Sequence, residues 1–371
     1  MAMKVICDQA ALSEALNMAG SVVASRTPSP VLTCVKLTAT DGRLRLAATD
    51  GETFMVLDLD RVEVDSPGEV LVPADKFTQI VRECNDPTIT IEADGHALHI
   101  RGADARFKVF GFDPQEAPPE AEFDEDTVDC TINAGVLATT VARSLFAAAA
   151  EHTRYAINGV LYHREGKRLR MVATDGRRLA LAMADCDAAD GEKSCIIPAK
   201  ALGLLRRLTK DPENSVRVSV GESRIAFRID SPTAPATLVS SLVEGRFPPF
   251  EDVIPKEQDK KLVCNRDLLR SAIRRASLLT TEESRSVRMH FDKDKLTLCS
   301  HAPEMGESEV VIDVKNYEGD TVEIGFNPAY IADALKVVDD DEVTIELKAS
   351  NKPGLIRAGG DFTYVLMPVT V

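Results

Sequence analysis

The stretch Val172-Ala-Thr-Asp-Gly-Arg-Arg-Leu-Ala-Leu-Ala-Met-Ala184 carries the clearest fold signal in the chain. Apolar residues alternate on both sides of Asp175-Gly176, and an Asp-Gly pair supplies the positive φ angles of a tight hairpin turn. The word Ala-Thr-Asp-Gly occurs a second time, at 48–51, but only the later copy is followed by two arginines. A lone Asp-Gly is most simply a surface turn, whereas a recurring one indicates a repeated unit.

The period of the repeat can be read from residue numbers. The prolines Pro73, Pro198 and Pro328 each open a predicted helix and recur at intervals of 125 and 130 residues (198 − 73 and 328 − 198), and Asp50 precedes Asp175 by 125 (175 − 50). A repeat of this length predicts three similar domains rather than a solenoid of short units. Two linkers separate them: the acidic, proline-rich segment 113–126 and the segment 245–261. The predicted domains span 1–122, 127–250 and 257–371.

Each domain is predicted to contain two β-α-β-β-β halves. Apolar residues at helical spacing, together with the helix-opening prolines, predict helices over 9–24, 73–84, 133–151, 198–209, 266–280 and 328–338. Short alternating strands with turn residues between them fill the remaining sequence. Runs of strands with one amphipathic helix per half predict the α+β class, with helices on one side of antiparallel sheet.

Composition excludes several kinds of protein. The 371-residue chain has no Trp and a formal net charge of −15, which argues against a stacking platform for single strands and against overall attraction to nucleic acid. Its eight cysteines form no C-x-x-C pair, and its histidines are dispersed, so we expect no metal, no cofactor and a reducing cytoplasmic location. No long apolar run indicates secretion or a membrane span.

Two predicted helices are nonetheless basic on one face. Exposed Arg and Lys are usually only solvated charge, so these faces alone indicate no ligand. In the second helix the spacing of i, i+4 and i+8 places the cations in one stripe. The first helix carries Lys200, Arg206, Arg207 and Lys210; the second carries Arg266, Arg270 and Arg274, with Arg275 beside them.

With three domains in place, the chain resembles the bacterial DNA polymerase III beta subunit family, the replication sliding clamps, over its whole length. The stretches that carry the resemblance are Arg154-Tyr-Ala-Ile-Asn-Gly-Val-Leu161, Val172-Ala-Thr-Asp-Gly-Arg-Arg-Leu179, Leu242-Val-Glu-Gly-Arg-Phe-Pro248, Glu323-Ile-Gly-Phe-Asn327 and Tyr364-Val-Leu-Met-Pro-Val-Thr-Val371. The resemblance implies a head-to-tail dimeric ring with twelve helices (2 × 3 × 2) lining a pore around duplex DNA and the sheets outside. It implies a non-catalytic processivity factor that slides without sequence specificity and tethers the replicative polymerase.

The resemblance also implies three sets of site residues. The DNA-binding residues would be Arg26, Arg154, Tyr155, Lys200, Arg206, Arg207, Lys210, Arg270 and Arg274. A pocket for partner peptides would be formed by Ile157, Thr174, Gly176, Arg177, Arg178, Leu179, Pro248, Val253, Asn327, Tyr330, Val365, Leu366, Met367 and Pro368. The dimer interface would involve Phe107, Val109, Lys76, Leu278, Leu279, Glu304 and Glu307.

Some positions depart from the family pattern. Arg177 replaces a frequent histidine, Asp252 falls where an arginine is common, and Thr370 stands where a basic residue is common. Near the DNA, Glu151 and Ala156 depart from the usual polar and aromatic choices. These differences leave the pocket in place but bear on which peptide it prefers.

The partners implied by the resemblance are double-stranded DNA, a second copy of the chain, the DNA polymerase III alpha subunit and the delta subunit of the clamp loader. Translesion polymerases, ligase and mismatch-repair proteins would use the same peptide pocket, in a cytoplasmic, nucleoid-associated setting without membrane contact. Two alternatives stay open. The twin Asp residues could serve a metal or a phosphoryl transfer, although hairpin turns explain them and no Gly-rich phosphate loop is present. The chain could also be a clamp-like toxin-resistance or regulatory paralogue.

Overall fold

The computed structural model describes residues 3–24, 26–40, 42–149, 157–232, 234–281 and 286–369. The first sequence repeat contains two helices and nine strands. In chain order they are β1 (Met3–Asp8), α1 (Gln9–Gly20), β2 (Cys34–Thr40), β3 (Arg43–Thr49), β4 (Thr53–Leu59), β5 (Val62–Ser66), β6 (Gly68–Pro73), α2 (Ala74–Glu83), β7 (Thr88–Asp94), β8 (Ala97–Arg101) and β9 (Arg106–Phe110).

The second and third repeats follow the same order. The second comprises β10 (Val128–Asn133), α3 (Ala134–Leu145), β11 (Gly159–Glu165), β12 (Arg168–Thr174), β13 (Arg178–Asp185), β14 (Asp187–Ala188), β15 (Glu192–Pro198), α4 (Ala199–Leu208), β16 (Ser215–Val220), β17 (Arg224–Asp230) and β18 (Ala236–Ser241). The third comprises β19 (Lys260–Asn265), α5 (Arg266–Ala276), β20 (Val287–Phe291), β21 (Lys295–Ala302), β22 (Gly306–Asp313), β23 (Tyr317–Glu318), β24 (Val322–Phe326), α6 (Pro328–Lys336), β25 (Glu342–Leu347), β26 (Gly354–Ala358) and β27 (Phe362–Leu366).

All six predicted helices occur, but three of them end four or more residues earlier than predicted. Helix α1 stops at Gly20, where the Ser21 hydroxyl donates to the Met18 carbonyl (2.6 Å) and so occupies an acceptor of the last turn. Helix α3 stops at Leu145, and α5 at Ala276 before a short 3-10 turn. The strands β5, β14 and β23 were not predicted, and the last two have only two residues each.

The chain folds into two compact units. The first unit comprises Met1–Ala138, Cys186–Asp190 and Lys200–Leu242; the second comprises Thr139–Asp185, Gly191–Ala199 and Val243–Val371. The predicted three-domain division therefore follows the sequence repeat, while the compact units cut through the second repeat. The domain bounds stay a prediction.

Each unit contains one nine-stranded antiparallel sheet that joins strands of two successive repeats. In the first unit the order is β14-β10-β16-β17-β18-β4-β3-β2-β6, and β4 pairs with β18, so that Leu57 lies opposite Ala236. In the second unit the order is β15-β11-β12-β13-β27-β26-β25-β19-β23, and β13 pairs with β27, so that Leu179 lies opposite Val365.

Each unit also holds a smaller sheet. The five strands β5-β1-β7-β8-β9 belong to the first unit and the four strands β22-β21-β20-β24 to the second. Strands β9 and β22 each have a neighbour on one side only among the described strands.

The core lies between the sheets and the helices. Leu12 and Leu16 of α1 are fully buried in the first unit, as are Leu269 of α5 and Leu335 of α6 in the second. Burial of such a side chain contributes about 1.5–3 kcal/mol to stability. None of the helices in the described part of the chain is long and apolar enough to span a membrane.

Candidate functional site

Both Thr-Asp-Gly motifs form hairpin turns, as predicted. Asp175 accepts the backbone N–H groups of Arg177 and Arg178 on Oδ1 (3.0 and 3.1 Å), and Gly176 has a φ of +84°. In the first copy Asp50 accepts the N–H groups of Glu52 and Thr53 in the same way (3.0 and 2.7 Å). Each carboxylate therefore satisfies backbone donors of its own turn.

Arg178 is a half-buried cation in the second copy. Its Nε donates to Asp175 (3.0 Å), its Nη1 to Asp333 of α6 (2.9 Å) and its Nη2 to the Phe146 carbonyl (2.9 Å). The guanidinium also lies 4.4 Å from the ring centroid of Tyr330. Because every guanidinium nitrogen has a partner, Arg178 ties its hairpin to α6 and to the chain after α3, while Arg177 is exposed.

The predicted pocket residues converge in the second unit. The Met367 amide donates to the Arg177 carbonyl (3.0 Å), and the Tyr364 hydroxyl donates to the Tyr330 carbonyl (3.1 Å). Within the β13–β27 pairing, Arg178 lies opposite Leu366. The hairpin turn, the start of α6 and the last strand thus meet in one place.

An apolar cluster lies beside this meeting point. Its buried members are Leu161, Val172, Leu179, Leu181, Ile196, Leu355 and Val365, and its partly buried members are Met183, Val243, Phe247, Phe250 and Ile254. The sequence prediction placed Pro248 of the linker 245–250 in the pocket but assigned no role to Phe247 or Phe250. Aromatic residues inside an otherwise polar linker were the available signal.

The pocket residues differ in accessibility. Thr174 is buried and holds its turn by donating to the Arg178 carbonyl (2.7 Å). Asn327 is half-buried and is the N-cap of α6, where its side chain accepts the Ala329 amide (3.0 Å). Ile157, Leu179, Val365 and Leu366 are also buried, Pro248, Tyr330 and Pro368 are half-buried, and Gly176, Arg177, Val253 and Met367 are exposed. Thr370 lies outside the described residues.

Both lysines at α4 have carboxylate partners within the first unit. Lys200 Nζ lies 2.5 Å from Asp50 Oδ2 and 3.3 Å from the Val22 carbonyl oxygen. Lys210 Nζ, just beyond the helix, lies 2.5 Å from Glu14 Oε1 of α1. Burial alone would raise the pKa of the Asp50 carboxyl, but hydrogen bonds from Lys200 and the turn amides hold it below its usual value.

Arg26 and the arginines of the two basic helices have fewer partners, with the exception of Arg266. Arg207 makes one long hydrogen bond to the Asn17 carbonyl (3.5 Å), and Arg266 is held by Asp267 and the Val338 carbonyl. Of the predicted DNA-binding residues, four exposed arginines have no hydrogen-bond or ion-pair partner among the described residues: Arg26, Arg206, Arg270 and Arg274. Arg154 and Tyr155 lie outside the described residues, as do Glu151 and Ala156.

The predicted dimer residues lie on or near the open sheet edges, with one difference. Val109 of β9 is only 9% exposed and packs inward, so its side chain belongs to the core of its own sheet, whereas Phe107 is 38% exposed. Lys76, Leu278, Glu304 and Glu307 are exposed and Leu279 is half-buried; Glu307 lies 3.1 Å from His301. Phe110, Met305 and Val311 are further exposed apolar residues that the sequence prediction missed.

Exposed apolar side chains concentrate at these places. Ten large hydrophobic side chains are exposed in the described part of the chain, and five of them lie on or beside the two open edges: Phe107, Phe110, Leu278, Met305 and Val311. Three more belong to the pocket region: Val253, Met367 and Val369. Exposed apolar surface that gathers in this way is typical of interaction sites.

The described residues contain no group of three or more His, Cys, Asp or Glu side chains arranged to hold a metal ion. The cysteines of the described part are free thiols, and burial raises the pKa of the Cys7 and Cys264 thiols to about 12. A thiol with so high a pKa is a poor nucleophile at neutral pH.

Three family models match the chain in succession, one for each sequence repeat. The models of the DNA polymerase III beta subunit N-terminal, central and C-terminal domains match residues 3–121, 131–249 and 251–370. The chain belongs to the DNA polymerase III beta subunit family. This is the family of the beta sliding clamp, a non-catalytic processivity subunit.

Relatives of this family match end to end. The beta sliding clamp of Pseudomonas putida is 34% identical over 363 residues, which is 97% of each chain, and that of Escherichia coli K12 is 31% identical over 370 residues, 99% of this chain and 100% of the relative. The crystal structure of the sliding clamp from Pseudomonas aeruginosa bound to griselimycin covers all of both chains at 31% identity with a TM-score of 0.92. That from Bacillus subtilis covers all of both chains at 26% identity with a TM-score of 0.92.

Proposed function

We propose that the protein is the processivity clamp of a replicative DNA polymerase: a head-to-tail homodimer that encircles duplex DNA and tethers the polymerase to it. The observation that carries the proposal is the strand count of the four sheets. Two nine-stranded sheets join successive repeats, and the remaining sheets have five and four strands, which also make nine (5 + 4). Pairing β9 of one copy with β22 of another would complete a third sheet of the same kind.

The composition of these edges supports the pairing. An unpaired strand edge offers free backbone donors and acceptors to another chain. Five exposed large apolar side chains accompany the two edges. Because the two edges differ, the contact is head-to-tail, and two such contacts close a ring when the rotation returns on itself. Phe107, Leu278 and Leu279 would lie in this interface, with Lys76 facing Glu304 or Glu307 at its rim, whereas Val109 would support it from inside.

The solution mass tests the ring. Light scattering at micromolar concentration should give twice the mass of the 40.3 kDa chain. Leu278→Asp should shift the protein toward monomer, while the control Val136→Asp, at an exposed apolar position on α3 away from both edges, should stay dimeric. A monomeric wild-type protein, or a dimer insensitive to Leu278→Asp, would contradict the proposed interface.

Duplex DNA is the proposed ligand of the ring. Arg26, Arg154, Tyr155 and the cations of α4 and α5 would contact phosphates, which carry no sequence information. We expect weak, sequence-independent binding to short linear duplex that declines as salt rises. Replacing Arg270 and Arg274 together by alanine should weaken it further. Binding that persists undiminished at high salt, or that requires one sequence, would contradict the proposal.

The pocket of the second unit is the proposed site for partner peptides. Leu179, Val365 and Phe247 belong to its apolar cluster, and the exposed Met367 is a flexible apolar side chain that adapts to different ligands. The exposed Arg177 would meet polar groups of the peptide. The proposed clients are the DNA polymerase III alpha subunit and the delta subunit of the clamp loader, followed by translesion polymerases, ligase and mismatch-repair proteins.

Deletion of residues 367–371 tests the pocket. The deletion removes Met367 and Pro368 and the hydrogen bond to the Arg177 carbonyl, so binding of the alpha and delta subunits should be lost while the dimer persists. Deletion of residues 370–371 alone is the matched control. Unchanged polymerase and loader binding after the longer deletion would show that the pocket lies elsewhere. Complementation of a clamp-deficient strain distinguishes a replicative clamp from a regulatory paralogue.

A further inference from the structure

The cations of the two basic helices differ in how free they are: both lysines at α4 are paired, whereas Arg206 of α4 and two arginines of α5 are not. In α5, Arg270 and Arg274 are exposed without a partner among the described residues. Around α4, the two lysines are each 2.5 Å from a carboxylate of the first repeat, Lys200 from Asp50 and Lys210 from Glu14. The sequence shows the same number of cations on both helices and does not show this difference.

The two acids are not interchangeable surface charges. Asp50 is mostly buried, is fixed by two hydrogen bonds from its own turn and points its second oxygen at Lys200. Lys200 is held from a second side by the Val22 carbonyl. Glu14 comes from α1, and apart from Lys210 no other hydrogen-bond or ion-pair partner of its carboxylate occurs among the described residues.

We infer that Glu14 and Asp50 compete with DNA phosphates for Lys210 and Lys200, and thereby set how weakly the ring holds DNA. This inference rests on the proposed DNA-binding function. A phosphate that approaches either lysine must replace a carboxylate already bound and must come close to its negative charge. Each lysine therefore contributes less to binding than a free cation, and the unpaired arginines Arg206, Arg270 and Arg274 carry the larger share. A clamp that must slide benefits from phosphate contacts that form and break easily.

Glu14→Gln tests the inference because the amide keeps the size of the side chain and removes its charge. An exposed ion pair is worth up to about 1 kcal/mol, so freeing Lys210 should tighten binding to short duplex by about two- to fivefold at about 50 mM salt. The slope of log affinity against log salt should steepen by up to about 0.9, as for one additional phosphate contact. Asp50→Asn should act in the same direction, since asparagine can still accept the turn hydrogen bonds.

Two controls separate a freed lysine from a general change of charge. Asp185→Asn removes one negative charge from another exposed ion pair, in which Asp185 lies 2.7 Å from Arg168 on β12, and should leave DNA binding unchanged. Glu14→Gln combined with Lys210→Gln should lose the gain. Fluorescence anisotropy with a labelled linear duplex measures all variants, and light scattering verifies that they remain dimers.

The outcomes are distinguishable. Tighter binding in Glu14→Gln that requires Lys210 supports the inference. If Glu14→Gln is unchanged, or its gain survives the loss of Lys210, while the Arg270/Arg274 double variant still weakens binding, the competition is refuted and the proposed DNA face stands. If the double variant also binds as the wild type does, the proposed DNA face fails and this inference fails with it.

Discussion

The two Thr-Asp-Gly hairpins have the same backbone and opposite arrangements of charge. In the first hairpin, Asp50 is the anion and receives a lysine, Lys200, from α4. In the second, Arg178 is the cation and donates to Asp333 of α6, with Tyr330 beneath it. Lys200 and Tyr330 each lie two residues after the proline at the start of their helix, so the same position of the fold holds a cation in one copy and an aromatic ring in the other.

The exchange of charge changes burial. The Lys200 side chain is 49% exposed, whereas the Arg178 side chain is 11% exposed and has a partner for each nitrogen. The planar guanidinium with several donors suits a buried junction, and a flexible lysine suits an exposed one. A repeat can therefore keep its turn and acquire a different role through the residues that follow the Asp-Gly pair.

A second pair of equivalent positions in the first two repeats also holds an uncharged residue in one copy and a charged one in the other. Met18 of α1 and Arg143 of α3 are 125 residues apart (143 − 18). Arg143 is buried and bonds Asp340 (3.1 Å), with Asp361 at 3.7 Å. Met18 instead lines an open cavity of about 380 Å³, together with Leu57, Lys210 and other residues of the first unit.

The largest expected effect is that of Arg178→Ala, which removes the feature peculiar to the second hairpin. It would leave Asp175, Asp333 and the Phe146 carbonyl without their donor in a partly buried site, at a cost of about 3–5 kcal/mol in the free energy of unfolding. Arg178→Lys should recover part of this, because one ammonium cannot reach all three acceptors. Chemical denaturation measures both; a loss below about 1 kcal/mol for alanine would show that the junction does not depend on the guanidinium.

Arg143→Met, which copies Met18 into the second unit, should cost about 1.5–3 kcal/mol, the range for hydrogen bonds to charged groups. Asp340 and Asp361 are partly exposed and can be hydrated after the change, so the loss should be smaller than for Arg178→Ala. The control is Met18→Leu, a conservative change at the matching position. If Arg143→Met has the same free energy of unfolding as the wild type, the ion pairs of Arg143 do not contribute to stability.

Glycine substitutions examine what the hairpins share. Gly51 and Gly176 have φ angles of +97° and +84°, and an added Cβ would meet no atom within 4 Å at either site. Alanine at either position should therefore cost only backbone strain, about 1–2 kcal/mol and equal in both copies. Gly203→Ala is the control, since α4 has room for a Cβ there and a helical backbone favours alanine. Clearly unequal losses in the free energy of unfolding at the two turns would show that the hairpins are not equivalent.

The smallest effect is expected for Asp50→Asn, which keeps the turn acceptor and removes the charge. The folded pKa of Asp50 lies below its unfolded value of about 4, so its ionic contribution is complete above that value and is lost as pH falls through the folded pKa. The variant should be less stable by up to about 1 kcal/mol at pH 7 and equal to the wild type in strong acid. The free energies of unfolding of both proteins, measured from pH 7 to strong acid, test this. A difference between them that does not change with pH would contradict the prediction.

The sequence could predict the repeated parts of the fold because they rest on local chemistry. Asp-Gly pairs favour a turn, Pro73, Pro198 and Pro328 lie at or directly before a helix start, a position that proline tolerates well, and apolar spacing marks the faces of the helices. Helix ends were less predictable, since at the end of α1 the Ser21 hydroxyl competes for the Met18 carbonyl. The short strands β14 and β23 have too few residues to produce a pattern.

The sequence could predict which residues belong to the candidate site, but it could not predict the contacts between them. Family resemblance brought the hairpin, α6 and last-strand residues into one list, and the structure brings them together in the second unit. Phe247 and Phe250 were missed because a linker gives no periodicity, and the burial of Val109 was missed because an edge strand of five residues does not reveal which face is inward.

The sequence by itself determined that this protein consists of three like domains with a Thr-Asp-Gly turn in the first two, since period and turn chemistry are local properties. Only the tertiary structure decided which charges are free. Arg177 and Arg178 are neighbours of identical type, yet one is exposed and the other is consumed by Asp175 and Asp333. Lys210 and Arg270 appear equivalent on their helices, yet only Lys210 meets a carboxylate. Pairing of charge depends on side chains distant in sequence, and folding alone brings them within reach.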